Sequence, residues 1–120
     1  MSWDADLIDG QTAKPIQEWN YTHNTNSMIN AVLRDAIQLP ENEWLKLYEN
    51  QCWWDSFQHP FKDNTALLDV IIAGLEADPP RFIAMNPPNK WGNYHQLLGV
   101  LKEMRTVAFE HPNSVWSVTG

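Results

Sequence analysis

A single cysteine, Cys52, stands among 120 residues, so no disulfide can form within the chain. A lone cysteine suits a reducing compartment, and beside Trp53 and Trp54 it reads first as a small buried hydrophobe and only second as a nucleophile. Basic residues are also scarce: eight Lys and Arg face fifteen Asp and Glu, for a formal net charge of −7. The eight are scattered from Lys14 to Arg105, so long-range electrostatics oppose binding to a nucleic-acid backbone or an anionic membrane. The acids are equally dispersed, which argues against an acidic surface built to mimic DNA. No apolar run approaches the roughly 20 residues that span a bilayer. The longest, Leu67 to Leu75, is interrupted by Asp69. The opening Met-Ser-Trp-Asp-Ala-Asp has neither a basic n-region nor an apolar h-region, so no secretory signal is expected and the default location is cytoplasmic.

Sequence signatures of chemistry are missing too. There is no C-x-x-C, H-E-x-x-H, G-x-S-x-G, P-loop or G-x-G-x-x-G. His59, His95 and His111 have no metal-ligand spacing among themselves or with Cys52, and Asp55, Asp63 and Asp69 are too far apart in sequence to suggest a carboxylate pair. No metal and no cofactor is expected.

What is present is ample material for one core. Hydrophobic residues make up 43% of the chain, seven of them Trp, and the length suits a single domain over 1–120. Trp is large and carries an N–H that wants a partner, so several should edge the core or line a cleft. Residues 2–8 alternate Trp3, Ala5 and Leu7 against Ser2, Asp4 and Asp6, the signal of a half-buried strand. Asp9-Gly10 is a turn pair, and Ile16 to Tyr21 alternates again, which predicts a hairpin. Met28, Ile29, Val32, Leu33, Ala36 and Ile37 recur at helical spacing behind a cap at Asn26 or Ser27, and Pro40 stops them. Glu43 to Tyr48 can form two helical turns. A second helix is expected after a cap at Asn64 or Thr65, with Leu67, Leu68, Ile71, Ile72 and Leu75 as its stripe. Asp78-Pro79-Pro80 predicts a short helix over Arg81 to Met85. The last helix carries Tyr94, Leu97, Leu98, Leu101, Met104 and Ala108, and Val115 to Thr119 alternates as a closing strand. The expected fold is α+β: a small antiparallel sheet of the N-terminal hairpin plus the C-terminal strand, covered by three or four helices.

Two stretches are candidate sites. Asn20-Tyr21-Thr22-His23-Asn24-Thr25-Asn26 sets seven hydrogen-bonding side chains in a row at a strand-to-helix junction. Free N–H groups at a helix start attract ligand oxygens. Asn and Thr bind neutral donors and acceptors, and His23 can donate a hydrogen bond, transfer a proton or ligate a metal. The same residue types also serve plain caps and turns. The second stretch is Asn86-Pro87-Pro88-Asn89-Lys90-Trp91-Gly92-Asn93-Tyr94, where a Gly between aromatics permits close backbone approach and Trp91 and Tyr94 offer flat faces for stacking. The candidate ligand-binding residues are Asn20, Tyr21, Thr22, His23, Asn24, Asn26, Trp91, Asn93 and Tyr94.

Asn20-Tyr21-Thr22-His23-Asn24 followed by Met28 resembles the N-[I/Y]-T-H-N…M motif of a family of small phage and bacterial proteins of uncharacterised function. Gly74-Leu75 with Asp78-Pro79 and Phe82, and Asn86-Pro87 with Trp91-Gly92 and Tyr94, are similar to the same family. Residues 40–52 depart from it as an enlarged connection, and Trp53-Trp54-Asp55-Ser56 replaces a Leu-Trp-Arg-Pro-type segment, removing its basic residue. The resemblance implies a compact α+β domain and a phage setting, in which a counter-defence protein that sequesters a nucleotide-derived signal is one expectation. Three functions follow as expectations. The first is a module that binds a small polar, nucleotide-like molecule. The second is a protein-interaction factor that docks on a host or phage protein through exposed Trp44, Trp53 and Trp54. The third is a hydrolase or lyase with His23 as general acid–base.

Overall fold

The computed structural model describes residues 2–36, 53–54 and 64–120. Strands β1 (Ser2–Asp9) and β2 (Pro15–Thr22) form the expected hairpin, and β3 (Ser114–Thr119) closes a three-stranded antiparallel sheet of order β2-β1-β3. The helices are α1 (Asn26–Ala36), α2 (Ala66–Ala77), α3 (Pro79–Ile83) and α4 (Tyr94–Glu110). The fold is thus small α+β, and among the described residues no helix is long and apolar enough to cross a membrane. The expected turns over Glu43 to Tyr48, the Pro40 stop, Ile37, Trp44, Cys52, Asp55, His59 and Asp63 lie outside the described residues.

The alternation read in β1 is the alternation of burial. Trp3, Ala5 and Leu7 are fully buried, because successive side chains of a strand face opposite sides and the helices cover only one. The hairpin is closed by Asp9, whose carboxylate accepts the amides of Gln11 (2.8 Å) and Thr12 (2.9 Å). Those amides, Thr12 first, hold the Asp9 carboxyl below its usual pKa range. Trp3, Met28, Ile29, Leu33, Leu67, Ile71, Leu75, Leu97 and Leu101 belong to one core, with α1 against α2 and α2 against α4. Gly74 permits the α1–α2 approach: a Cβ there would lie 2.3 Å from Val32 Cγ1.

Of the expected caps, Asn26 is displaced, while Thr65 and Asp78 hold their positions without a side-chain cap bond. Asn26 does not cap α1. A 3₁₀ turn, His23–Thr25, precedes that helix, and Thr22 caps the turn by accepting the Asn24 amide at 3.2 Å. Thr65 holds the cap position of α2, where its side chain makes no cap bond to the helix. Asn64 instead donates to Ala108 O, His111 O and Ser114 Oγ at 2.8–3.0 Å, tying the end of α4 to β3. Asp78 precedes α3 but makes no cap bond, and Pro79 and Pro80 start that helix alone.

Candidate functional site

The two candidate stretches meet. β2 ends at Thr22, opposite Ser2, with Tyr21 opposite Trp3. The loop before α4 packs on this end of the sheet. Tyr21 Oη accepts the Asn93 amide at 3.2 Å and lies 3.4 Å from Asn93 O and 3.5 Å from Gln96 Oε1. Asn24 Nδ2 donates to Trp91 O (3.3 Å) and Asn89 Oδ1 (3.5 Å). Gly92 sits in the seam at φ +83°, where a Cβ would come within 2.5 Å of Thr22 Cγ2 and 3.0 Å of Tyr21 Oη. Only glycine combines that backbone angle with that closeness. Burial raises the Tyr21 phenol above its ordinary pKa, with the Asn93 backbone contact opposing, so it crosses the seam as a neutral hydroxyl.

Inside the loop before α4 the bonds are shorter. Asn86 Oδ1 accepts the Tyr94 amide at 2.8 Å, Asn89 Oδ1 the Trp91 amide at 3.0 Å, and Asn93 caps α4 by accepting the Gln96 amide at 2.9 Å. Each loop is therefore well built in itself or in its helix, whereas every bond across the seam is at the long end of the hydrogen-bond range.

At the β2–α1 junction the pattern reverses. Asn26 is 1% exposed and Thr25 fully buried, yet among the described residues neither amide atom of Asn26 nor Thr25 Oγ1 has a hydrogen-bond partner. His23 Nε2, Asn30 Oδ1 and Trp3 Nε1 are buried and equally unpartnered. Thr25 and Asn26 are consecutive, Asn30 follows one turn later on the same side of α1, and Trp3 faces Tyr21 across the ladder. An aromatic band closes the end of the sheet. Trp3 packs edge-on against Tyr21 (6.0 Å) and Trp53 (5.4 Å), Trp53 against Trp54 (5.7 Å), and Trp54 lies 6.0 Å from the His23 ring. Buried polar groups in folded proteins are almost always bonded, so this concentration marks the junction as unusual.

Several expectations are corrected. Tyr94 is not a stacking face: it is 2% exposed, stacks on Phe82 at 6.3 Å and donates to Leu75 O at 2.8 Å. Asn20 is on the exposed side of β2 and donates to Asp4 Oδ1 (2.7 Å) and Ser2 Oγ (3.0 Å), a cross-strand tie. Trp53, expected among the docking aromatics, is fully buried, and Trp54 is half-buried. Trp91 keeps its free face at 69% exposure. Thr25, Asn30 and Trp3 were not among the predicted site residues.

Cavities lined by described residues follow α1 and α2, and one of them reaches Asn30. One of about 520 Å³ runs between α1, α2 and α3, bordered by Val32, Val70, Gly74, Arg81 and Phe82. A smaller polar cleft of about 290 Å³ passes Ser27, Asn30 and Arg34. Among the described residues no cluster of three His, Cys, Asp or Glu side chains is arranged to hold a metal. No family model matches the chain, and neither a curated protein nor a solved structure matches it.

Proposed function

We propose that this protein is a binding module for a small polar, nucleotide-like molecule, with its site at the β2–α1 junction under the loop that carries Trp91. The observation that carries this reading is Asn26, a fully polar side chain sealed in the core with neither amide atom bonded. Leaving such a group unpaired costs about 1–3 kcal/mol, a cost that a ligand satisfying it would offset. The bonds of the seam from Tyr21 and Asn24 are long, 3.2–3.5 Å, which supports a site there, and Trp91 beside it is 69% exposed and offers a ring for stacking. His23, Thr25 and Asn30 supply further donors and acceptors, while Thr22, Asn24 and Asn93 shape the two loops.

A screen of nucleotides and cyclic nucleotide signals by thermal shift and calorimetry tests the reading. A hit whose affinity falls on Asn26→Leu and His23→Ala supports it. A screen in which no compound shifts the melt sinks it. The phage resemblance adds a setting, in which sequestration of a nucleotide-derived signal is the role such a module would fill. The docking alternative is weakened by the burial of Trp53. For the hydrolase or lyase alternative, none of the hydrogen bonds or ion pairs among the described residues joins His23 to an acid.

A further inference from the structure

We propose a second binding site, formed by α1, α2 and α3, that takes a small amphiphilic anion: an apolar body ending in a carboxylate or phosphate. It is independent of the junction reading, and only Asn30 is common to both. Two hollows adjoin there. The larger, about 520 Å³, has an apolar lining of Val32, Val70, Ala73, Gly74, Ala77 and Phe82, a size usual for small-molecule sites. Val70, Ala73, Gly74 and Ala77 form one stripe of α2, at spacings of three and four residues. Three of the four are Ala or Gly, so the stripe leaves open a space that longer side chains would fill. Ala73 and Ala77 are exposed while Val32 and Phe82 are buried, which makes this an open depression with an apolar floor. The smaller hollow, about 290 Å³, is lined by a stripe of α1, Ser27, Asn30, Ala31 and Arg34, together with Asp35 and Arg81. Asp35 and Arg81 line both hollows and are joined by an ion pair of 2.7 Å. A molecule lying across that pair has its body in one hollow and its head in the other. Charge selects the head. Two guanidinium groups and one carboxylate line the polar hollow, within a chain whose net charge is −7. The Arg81–Asp35 pair is 45% and 62% exposed, where such pairs are weak and readily shared. Its bond runs from Arg81 Nη1, one donor of a fork whose geometry suits the paired oxygens of a carboxylate or phosphate. Ser27 and Asn30 add neutral hydrogen-bonding groups. Asp78 borders the apolar hollow, and its charge disfavours an anionic head at that end, which sets the orientation.

The test is calorimetry on the full chain, with every probe kept below its micelle concentration. Octanoate and octyl phosphate carry the anionic head on one apolar chain. Octanamide and octylammonium carry a neutral and a cationic head on the same chain, and acetate and inorganic phosphate are heads without a body. The expected result is that an octyl anion binds and that octanamide binds about fivefold or more weakly, the loss of two exposed charge contacts. Octylammonium, acetate and phosphate should give no binding. Raising salt from about 50 mM to about 300 mM should weaken the octyl anion by about twofold or more. Arg34→Gln and Arg81→Gln should each weaken it by about threefold or more and leave octanamide unchanged. Ala73→Phe, which fills the apolar hollow from an exposed position, should weaken anion and amide alike by about tenfold or more. Asn26→Leu, in the junction, should leave both unchanged. The proposal is overturned if neither octyl anion binds, if octanamide or octylammonium binds as tightly, or if the two arginine variants leave the anion's affinity intact. Binding that survives Ala73→Phe overturns it as well. If Arg81→Gln lowers the melt of the ligand-free protein, Arg34→Gln decides by the same criterion. Whichever of octanoate and octyl phosphate binds tighter identifies the head. Failure of the octyl anions leaves the junction reading standing, and a nucleotide screen without a hit leaves this site standing.

Discussion

Two loops rich in asparagine precede α1 and α4 at one end of the sheet, and they treat their polar groups in opposite ways. In the loop before α4, Asn86, Asn89 and Asn93 each accept a backbone amide at 2.8–3.0 Å, so these side chains are scaffold. At the junction before α1, the side chains of Asn26 and Thr25 are more deeply buried and make no hydrogen bond among the described residues. The residue types are the same. What separates them is whether a backbone N–H stands within reach, and the 3₁₀ turn at His23–Thr25 has moved the cap duty from Asn26 back to Thr22. An asparagine released from capping and still buried is free to bond a ligand, and that contrast singles out the junction.

The contrast is open to attack at several points. The largest expected effect is at the seam: Gly92→Ala should destabilise by at least about 2 kcal/mol in denaturant unfolding, because φ +83° is costly for any residue with a Cβ and that Cβ meets Thr22. A loss under about 0.5 kcal/mol would mean that the seam is not packed as described. Next, Asn26→Leu should stabilise the ligand-free protein, by up to about 1–3 kcal/mol, or leave it unchanged. Asn93→Ala, its counterpart in the other loop, should instead lose about 1 kcal/mol with its helix cap. If both variants lose stability equally, the distinction between the two loops collapses.

Tyr21→Phe should cost roughly 1 kcal/mol through the Asn93 amide, and it carries a pH signature. Burial raises the Tyr21 pKa in the folded state, so its contribution is complete below the unfolded value of about 10 and is lost as pH rises through the higher folded value. Melting followed in alkaline buffer should fall for wild type and fall less steeply for the Phe variant. A parallel decline would show that the phenol is not confined in the seam. The smallest effect belongs to Asn20→Ala. Its bonds to Ser2 and Asp4 are exposed, so the change should stay within about 0.5 kcal/mol in the same denaturant assay.

Much of this was legible in the residues. The period-2 alternation of Trp3, Ala5 and Leu7 is the buried face of β1, and the helical recurrence of Leu67, Leu68, Ile71 and Leu75 is the buried stripe of α2. Such patterns follow from side-chain geometry within one element, which needs no knowledge of its neighbours. The site was half legible. Asn20 to Asn26 drew attention as a polar run, but the run says nothing about which members are spent. Asn20 turned out to tie two strands, Tyr94 to plug the core, and Asn24 to span the seam. Asn30 was readable in principle: with Asn26 it makes a polar pair one turn apart beside an apolar stripe. Trp3 was readable only as core, since nothing local shows that its indole N–H lacks a partner.

The sequence by itself therefore determined the elements, their order and the class of fold, because periodicity, turn residues and prolines act over a few positions. It also determined the chemical vocabulary of the junction, neutral amides, hydroxyls and one imidazole in an acidic chain. The tertiary structure alone decided that residues 20–26 and 86–94 meet, that Gly92 forms their seam, and that Asn26 is buried without a partner. Those facts depend on distances between segments about 70 residues apart in the chain, and hydrogen-bond satisfaction is a property of such distances, not of residue type.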